Sequence, residues 1–83
     1  MNNNKVFNRI KHNIVFIWNY ECQICCIRSV NLHVHHIDKN HSNNDVFNLL
    51  PLCPSCHRTV HKLGIKLSVR PSEFQRELLN KIL

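Results

Sequence analysis

Glycine and proline, the residues that most often interrupt helices and strands, are scarce: the sequence has one glycine and three prolines among 83 residues. Acidic side chains are also scarce: five Asp and Glu stand against 11 Lys and Arg, which gives a formal net charge of +6. The apolar run over residues 14–18 is too short to span a bilayer. The N-terminus lacks the pattern of a cleaved signal peptide. We therefore expect neither a membrane-spanning nor a secreted protein.

The chain length suits one small domain over residues 1–83, and a hydrophobic share of 43% is too high for a disordered tail. A core of this size seldom supplies more than about 3–5 kcal/mol, so an additional staple is expected. Disulfides or a bound metal are the usual staples of such domains. Because the five cysteines are an odd number and a reducing compartment is expected, metal binding is favoured over disulfides.

Four of the five cysteines form two Cys-x-x-Cys knuckles. The pairs are Cys22 with Cys25 and Cys53 with Cys56. Two such pairs can supply four thiolates to a tetrahedral zinc ion. The 27 residues between them, 26–52, exceed the about 15–20 residues of a zinc ribbon, which predicts an inserted element. Cys26 is either a fifth thiol, buried or free, or a replacement for Cys25; redox-active or buried thiols are the weaker alternative for the set.

Hydrophobic periodicity predicts a small α+β domain. Apolar residues recur at helical spacing near the N-terminus and alternate with polar residues in the middle of the chain. A Ser-x-x-Gln capping box begins at Ser72, and Gly64 is well placed to end the preceding helix. The predicted elements are an N-terminal helix (5–18), two strands or extended pieces (32–37 and 46–52), a helix from near residue 57 to Gly64, and a C-terminal helix (72–82).

Histidines cluster in the inserted element and after the second knuckle. His35 and His36 are neighbours in the first predicted strand, and His57 and His61 are four apart, on one face of a helix. This ordered set, with Asn48 and the knuckles, resembles the HNH (His-Me finger) endonucleases of phages and homing elements over residues 20–63. The resemblance implies a ββα-metal core, a hairpin followed by a helix around one catalytic ion, stapled here by a four-cysteine zinc site.

The resemblance also implies a role for each side chain. His36 would be the general base that activates water, a task that suits an imidazole with its ordinary pKa of about 6.5. The ligands of the catalytic ion would be His35, His57 and His61. Asn48 would either brace the loop between the strands or touch the metal, and we favour bracing. On a regular strand His35 and His36 point to opposite faces, so they share one site only if the strand ends or bulges there.

Imidazole ligands indicate which metal ions the catalytic site would prefer. Imidazole suits Mn²⁺, Ni²⁺, Co²⁺ or Zn²⁺, whereas Mg²⁺ prefers oxygen donors, so activity with Mn²⁺, Ni²⁺ or Co²⁺ should at least equal that with Mg²⁺.

Three further histidines lie outside this ligand set. His33 shares the strand parity of His35; we interpret it as outward-facing, with a ligand role as the alternative. His41 is interpreted as a solvated loop residue and His12 as a residue without a functional partner.

The resulting hypothesis is a metal-dependent endonuclease that hydrolyses DNA phosphodiester bonds by nicking or double-strand cleavage. The basic charge balance favours a polyanionic partner. The candidate phosphate contacts are Arg28, Lys39, Arg58 and Lys62. The alternatives are a non-catalytic zinc-binding nucleic-acid module, a subunit of a larger nuclease assembly and, more weakly, a cysteine-based redox protein.

The expected partner is DNA, contacted mainly through its backbone, and no membrane partner is expected. A homodimer and a larger protein assembly both stay open. The expected location is cytoplasmic and intracellular, and the resemblance suggests a phage-encoded or mobile-element protein in a bacterial host.

Overall fold

The computed structural model describes residues 3–82, with side chains from residue 7 onward. The described part is a small α+β structure with three α-helices and a two-stranded sheet. Its elements are α1 (Asn3–Ile17), β1 (His33–His36), a 3-10 turn (Val46–Asn48), β2 (Leu49–Leu52), α2 (Pro54–Leu63) and α3 (Glu73–Lys81). None of these helices is long and apolar enough to cross a membrane.

The strands β1 and β2 form an antiparallel hairpin that carries the histidine doublet. The register places His35 opposite Leu50 and His36 opposite Leu49. A two-stranded sheet needs packing against other elements to be stable, and both α1 and α2 contact both strands. Because side chains alternate along a strand, His35 lies against α2 whereas His36 lies against Phe7 of α1.

The hydrophobic core lies between the hairpin and the three helices. The last apolar residues of α1 enter it, among them Ile14 and Ile17, together with Trp18, which directly follows the helix. The side-chain amide of Gln75 donates to the carbonyl oxygen of Ile17 at 3.2 Å and ties α3 to α1. Only part of the apolar stripe of α3 is used for packing: Leu79 is fully buried, while 69% of Phe74 is exposed.

Two predicted helix ends are confirmed. Ser72 caps α3 with both hydrogen bonds of a capping box shared with Gln75. Gly64 ends α2 in the left-handed conformation, with φ of 63°, and its N–H points to the carbonyl oxygens of the last turn. Both ends depend on local chemistry, since a side-chain oxygen satisfies free N–H groups in one case and glycine relieves backbone strain in the other.

Two predicted element starts are wrong. Residues 46–48 form a 3-10 turn rather than the beginning of a strand, because the carboxylate of Asp45 accepts the N–H of Phe47 at 2.8 Å and caps the turn. Helix α2 begins at Pro54 instead of near His57. The sulfur of Cys53 accepts the N–H of Cys56 at 3.4 Å as an N-cap, and proline fits the first helical position.

The other boundaries shift by one or two residues. The first strand covers His33–His36 instead of 32–37, since a turn begins at Ile37. Helix α1 covers Asn3–Ile17 instead of 5–18, and α3 covers Glu73–Lys81 instead of 72–82. Shifts of this size are within the usual uncertainty of helix and strand ends.

Replacing Gly64 with alanine is expected to lower the free energy of unfolding by about 1 kcal/mol. The cause is backbone strain at φ of 63°, because a Cβ added at Gly64 meets no atom within 4 Å. Urea unfolding of the metal-loaded protein measures the change. Gly64→Asn is the matched control and should lose less, since asparagine tolerates the left-handed region. Equal stability of Gly64→Ala and the parent would contradict the strain at this cap.

Candidate functional site

Four cysteine sulfurs converge where the first knuckle meets the N-terminus of α2. The Sγ atoms of Cys22, Cys25, Cys53 and Cys56 all lie within 4.8 Å of one another. The sulfurs of Cys25 and Cys53 are 3.7 Å apart, close to the about 3.8 Å edge of a tetrahedron with zinc–sulfur bonds of about 2.3 Å. Cys26 lies outside the group, and all five cysteines are free thiols. This thiolate cluster could therefore hold a structural metal such as zinc.

Backbone hydrogen bonds shape the first knuckle. The N–H of Cys26 donates to the carbonyl oxygen of Cys22 at 3.0 Å, and the N–H of Cys22 donates to that of Ile27 at 2.9 Å. Cys26 adopts φ of 67°, which reverses the chain direction there. The N–H of Gln23 donates to the carbonyl oxygen of Pro51 at 3.1 Å. The first knuckle is thus attached to β2, immediately before the second.

The thiols of the cluster differ in acidity. Burial raises the pKa of Cys22, but hydrogen bonds from the backbone of Cys25 and Cys53 outweigh it and lower this pKa to about 6. Burial, followed by the neighbouring thiols, raises the pKa of Cys56 to about 12. Like charges this close oppose the ionisation of all four groups together. A cation removes that repulsion, so the donor set fits a metal that binds thiolates.

Three histidine side chains converge between the hairpin and α2. His35 comes from β1, while His57 and His61 come from successive turns of α2, and one ring nitrogen of each lies within 4.8 Å of the other two. The Nε2 atoms of His57 and His61 are 3.1 Å apart. Metal–nitrogen bonds of about 2.0–2.1 Å give a donor separation of about 3.3 Å in a tetrahedral site and about 2.9 Å in an octahedral one. The histidine cluster therefore fits a divalent cation.

The surroundings of His35 and His57 favour neutral rings. Burial, followed by the charge of His61, lowers the pKa of His35, which is 1% exposed. Burial, followed by the charges of His61 and His35, lowers the pKa of His57 to about 4. The Nδ1 atom of His35 is buried without a hydrogen-bond partner. Neutral imidazoles are the form that binds metals, so these rings need not lose a proton first.

His36 lies at the end of β1 in a different environment. Its ring stacks on Phe7, with centroids 5.6 Å apart, and on His41, with centroids 5.1 Å apart. Its Nε2 atom is 2.9 Å from Oδ1 of Asn44. An amide oxygen only accepts hydrogen bonds, so Nε2 carries a hydrogen, and Nδ1 holds the lone pair of the neutral form of the ring. The N–H of Lys39 donates to the carbonyl oxygen of His36 at 3.0 Å, and this turn ends the strand.

Asn48 braces the loop between the strands. Its Oδ1 accepts the N–H of Asp38 at 3.0 Å, and its Nδ2 donates to the Asp38 carboxylate at 3.0 Å and to the carbonyl oxygen of Asn43 at 2.9 Å. Hydrogen bonds from Asn43, Asn40 and Asn48 lower the pKa of Asp38. The Asp38 carboxylate is therefore used inside the loop, and Asp38 does not belong to the histidine cluster among the described residues.

The four candidate phosphate contacts are all exposed but lie on different parts of the surface. Arg58 and Lys62 directly follow the two histidines of α2 in sequence, and Lys39 lies in the turn after β1. Arg28 lines a groove between α1 and the start of α3 instead. The histidine cluster thus has cations on its own helix and next to its strand, while Arg28 belongs to a separate surface.

Two contacts of these residues were not predicted from the sequence. The Nδ1 atom of His33 lies 3.0 Å from Nδ1 of His57, although the His33 side chain is exposed as expected. Asn44 contacts His36. The strand parity of His33 with His35 is the signal that points to the first contact. Nothing in the sequence distinguishes Asn44 from the other asparagines of its loop.

Comparison with known proteins places the chain in one family. No family model and no solved structure matches it significantly. A curated protein, Anaredoxin from Nostoc sp. (strain PCC 7120), is 31% identical over 52 residues, which are 60% of this chain and 68% of that protein. The chain belongs to the Anaredoxin family. Membership alone assigns no chemistry to the thiolate or histidine cluster.

Replacing Cys53 with serine in this Anaredoxin-family chain is expected to remove the metal of the thiolate cluster and abolish cooperative thermal unfolding. Metal binding and folding are coupled when the core is this small. Serine still offers an oxygen to cap α2, so the loss reports on the metal rather than on the cap. Metal analysis and circular dichroism measure both effects.

Cys26→Ser is the matched control for this experiment. The Cys26 sulfur lies outside the thiolate cluster, so the metal content and the melting temperature should stay those of the parent. Full metal content and unchanged stability in Cys53→Ser would contradict a metal in the thiolate cluster.

Proposed function

We propose that the chain is a metal-dependent endonuclease that hydrolyses DNA phosphodiester bonds, with residues 20–63 arranged as an HNH ββα-metal core. The observation that carries the proposal is the convergence of His35, His57 and His61 between a β-hairpin and the helix that follows it. The four cysteines alone would suffice for a structural metal. The three histidines offer a second set of ligands with a different chemistry, so we assign them a role other than holding a structural metal.

The three ring nitrogens would hold one divalent cation. When bound, such a cation neutralises the charge that grows on the phosphate and on the departing oxygen. A set of three protein ligands is typical of catalytic sites, which keep a position open for water or substrate. His61 is exposed, so the open side faces solvent, where a DNA phosphate can approach. Imidazole donors favour Mn²⁺, Ni²⁺, Co²⁺ or Zn²⁺ over Mg²⁺.

His36 would take the proton of the attacking water at Nδ1. The hydrogen bond to Asn44 keeps the hydrogen on Nε2, and the stacking on Phe7 and His41 holds the ring plane. An imidazole accepts and releases protons near neutral pH. His36 is the last residue of β1, and its ring lies against α1 whereas the ring of His35 lies against α2. The attacking water would therefore have to lie at this end of the strand, within reach of both sides.

The remaining residues would support the loop and hold DNA. The bracing hydrogen bonds of Asn48 keep the loop that carries Asn44 in place. Arg58, Lys62 and Lys39 would contact phosphates near the histidine cluster, and Arg28 would contact a more distant one. Such contacts act mainly on the DNA backbone and make affinity depend on salt rather than on base sequence.

A second candidate function rests on the thiolate cluster. The relative is named Anaredoxin, and four thiolates in a tetrahedral set accept iron as well as zinc. An iron-loaded cluster would make the chain an electron carrier. The absorption spectrum of the purified protein separates the candidates, because iron–thiolate centres absorb visible light and zinc–thiolate centres do not. A colourless protein with zinc in the cluster contradicts the electron carrier.

His36→Ala is expected to slow the nicking of supercoiled plasmid about 10²- to 10⁴-fold, because the general base is lost. DNA binding and the metal content should stay unchanged. The assay is run with Mn²⁺, Ni²⁺, Co²⁺ and Mg²⁺ in turn, and the first three ions should support at least the rate seen with Mg²⁺. His12→Ala, which alters an exposed histidine of α1, is the matched control and should cut like the parent.

Equal nicking by His36→Ala and the parent would remove His36 as the base. Cleavage with Mg²⁺ alone would count against His35 and His61 acting together as ligands. A parent chain that binds DNA but cuts with none of the ions would replace the endonuclease with a non-catalytic zinc-binding module or a subunit of a larger assembly.

A further inference from the structure

The two ring nitrogens of His57 have different partners. Nε2 lies 3.1 Å from Nε2 of His61 and faces the histidine cluster, whereas Nδ1 lies 3.0 Å from Nδ1 of His33. The rings of His33 and His57 meet edge to face, with centroids 5.2 Å apart and an interplanar angle of 84°. The nitrogen that points away from the cluster is therefore already paired.

The number of hydrogens on the two rings decides the direction of that pair. The two Nδ1 atoms, 3.0 Å apart, form a hydrogen bond only if one of them carries the hydrogen and the other a lone pair. If Nε2 gives its lone pair to a cation, the hydrogen lies on Nδ1 and points to His33. The Nδ1 atom of His33 then accepts, and its own hydrogen lies on Nε2, at an exposed position where water can accept it.

His33 is not a fourth member of the histidine cluster. Among the described residues, the ring nitrogens that all lie within 4.8 Å of one another belong to His35, His57 and His61. His33 instead approaches the far side of the His57 ring. His33 precedes His35 by two residues and shares its face of β1. The strand therefore supplies both the possible ligand His35 and the residue that contacts the possible ligand His57.

We propose that His33 is a positioning residue that accepts a hydrogen bond from Nδ1 of His57 and so fixes the tautomer and the ring orientation in which His57 holds a cation. The inference rests on the cation site of the proposed function. A ligating histidine normally donates its other N–H to a carboxylate, a carbonyl or water, and loss of that partner costs about 10- to 100-fold in metal affinity. In this protein the imidazole of His33 is the acceptor for the N–H at Nδ1 of His57.

The test is a titration with Co²⁺ of protein that already holds zinc in the thiolate cluster, followed by the visible absorption of the bound Co²⁺. His33→Ala should weaken Co²⁺ binding about 10- to 100-fold, with the absorption bands of the bound ion unchanged. His33→Gln offers an accepting oxygen and should recover most of the affinity. His12→Ala is the matched control and should bind like the parent. Zinc content and circular dichroism show that each variant is folded.

Three results would overturn the positioning role. The first is unchanged Co²⁺ affinity in His33→Ala. The second is an altered Co²⁺ spectrum in that variant, which would make His33 a ligand. The third is a loss of affinity that His33→Gln does not restore. If the parent itself bound no Co²⁺, the cation site of the proposed function would fail, and the inference would fail with it.

Discussion

The attachment of the N-terminus of α2 to the β-hairpin is the constraint on which the rest of the structure depends. Cys53 both caps the helix and contributes its sulfur to the thiolate cluster, so one residue fixes the start of the helix and its position. A helix of 10 residues and a two-stranded sheet are each marginal alone. Because His57 and His61 follow within the next two turns, the same attachment determines where the histidine cluster forms.

Both clusters use residues of α2, the thiolate cluster at the N-terminus of the helix and the histidine cluster along its next two turns, but their ligands differ in chemistry. The thiolate cluster offers four soft donors and leaves no position open in a tetrahedral site. The histidine cluster offers three donors and runs from His35, which is buried, to His61, which is exposed. It is therefore anchored in the interior and open towards solvent. A structural metal next to a reactive one is the arrangement on which the proposed endonuclease rests. The exposed Arg58 and Lys62 add positive potential near the histidine cluster.

Local chemistry explains which parts of the fold were predicted from the sequence. The cap at Gly64 and the capping box at Ser72 depend on residues within one helical turn, so composition and spacing suffice to place them. The predicted starts at residue 46 and near residue 57 were wrong, because side-chain caps at Asp45 and Cys53 begin a 3-10 turn and a helix there, which the apolar pattern does not indicate. Phe74 shows another limit: periodicity defines a stripe on a helix, but the neighbouring elements decide how much of it is covered.

The sequence by itself determined the donor types and their short-range geometry. A Cys-x-x-Cys knuckle and an i, i+4 pair of histidines bring their donors together through local backbone geometry alone. Only the tertiary structure decided that His35 joins the two histidines of α2, that His36 turns to Asn44, and that His33 contacts His57. The His33–His57 contact joins residues 24 apart in sequence. Alternation along a strand states which residues share a face, but the packing of other elements decides what that face meets.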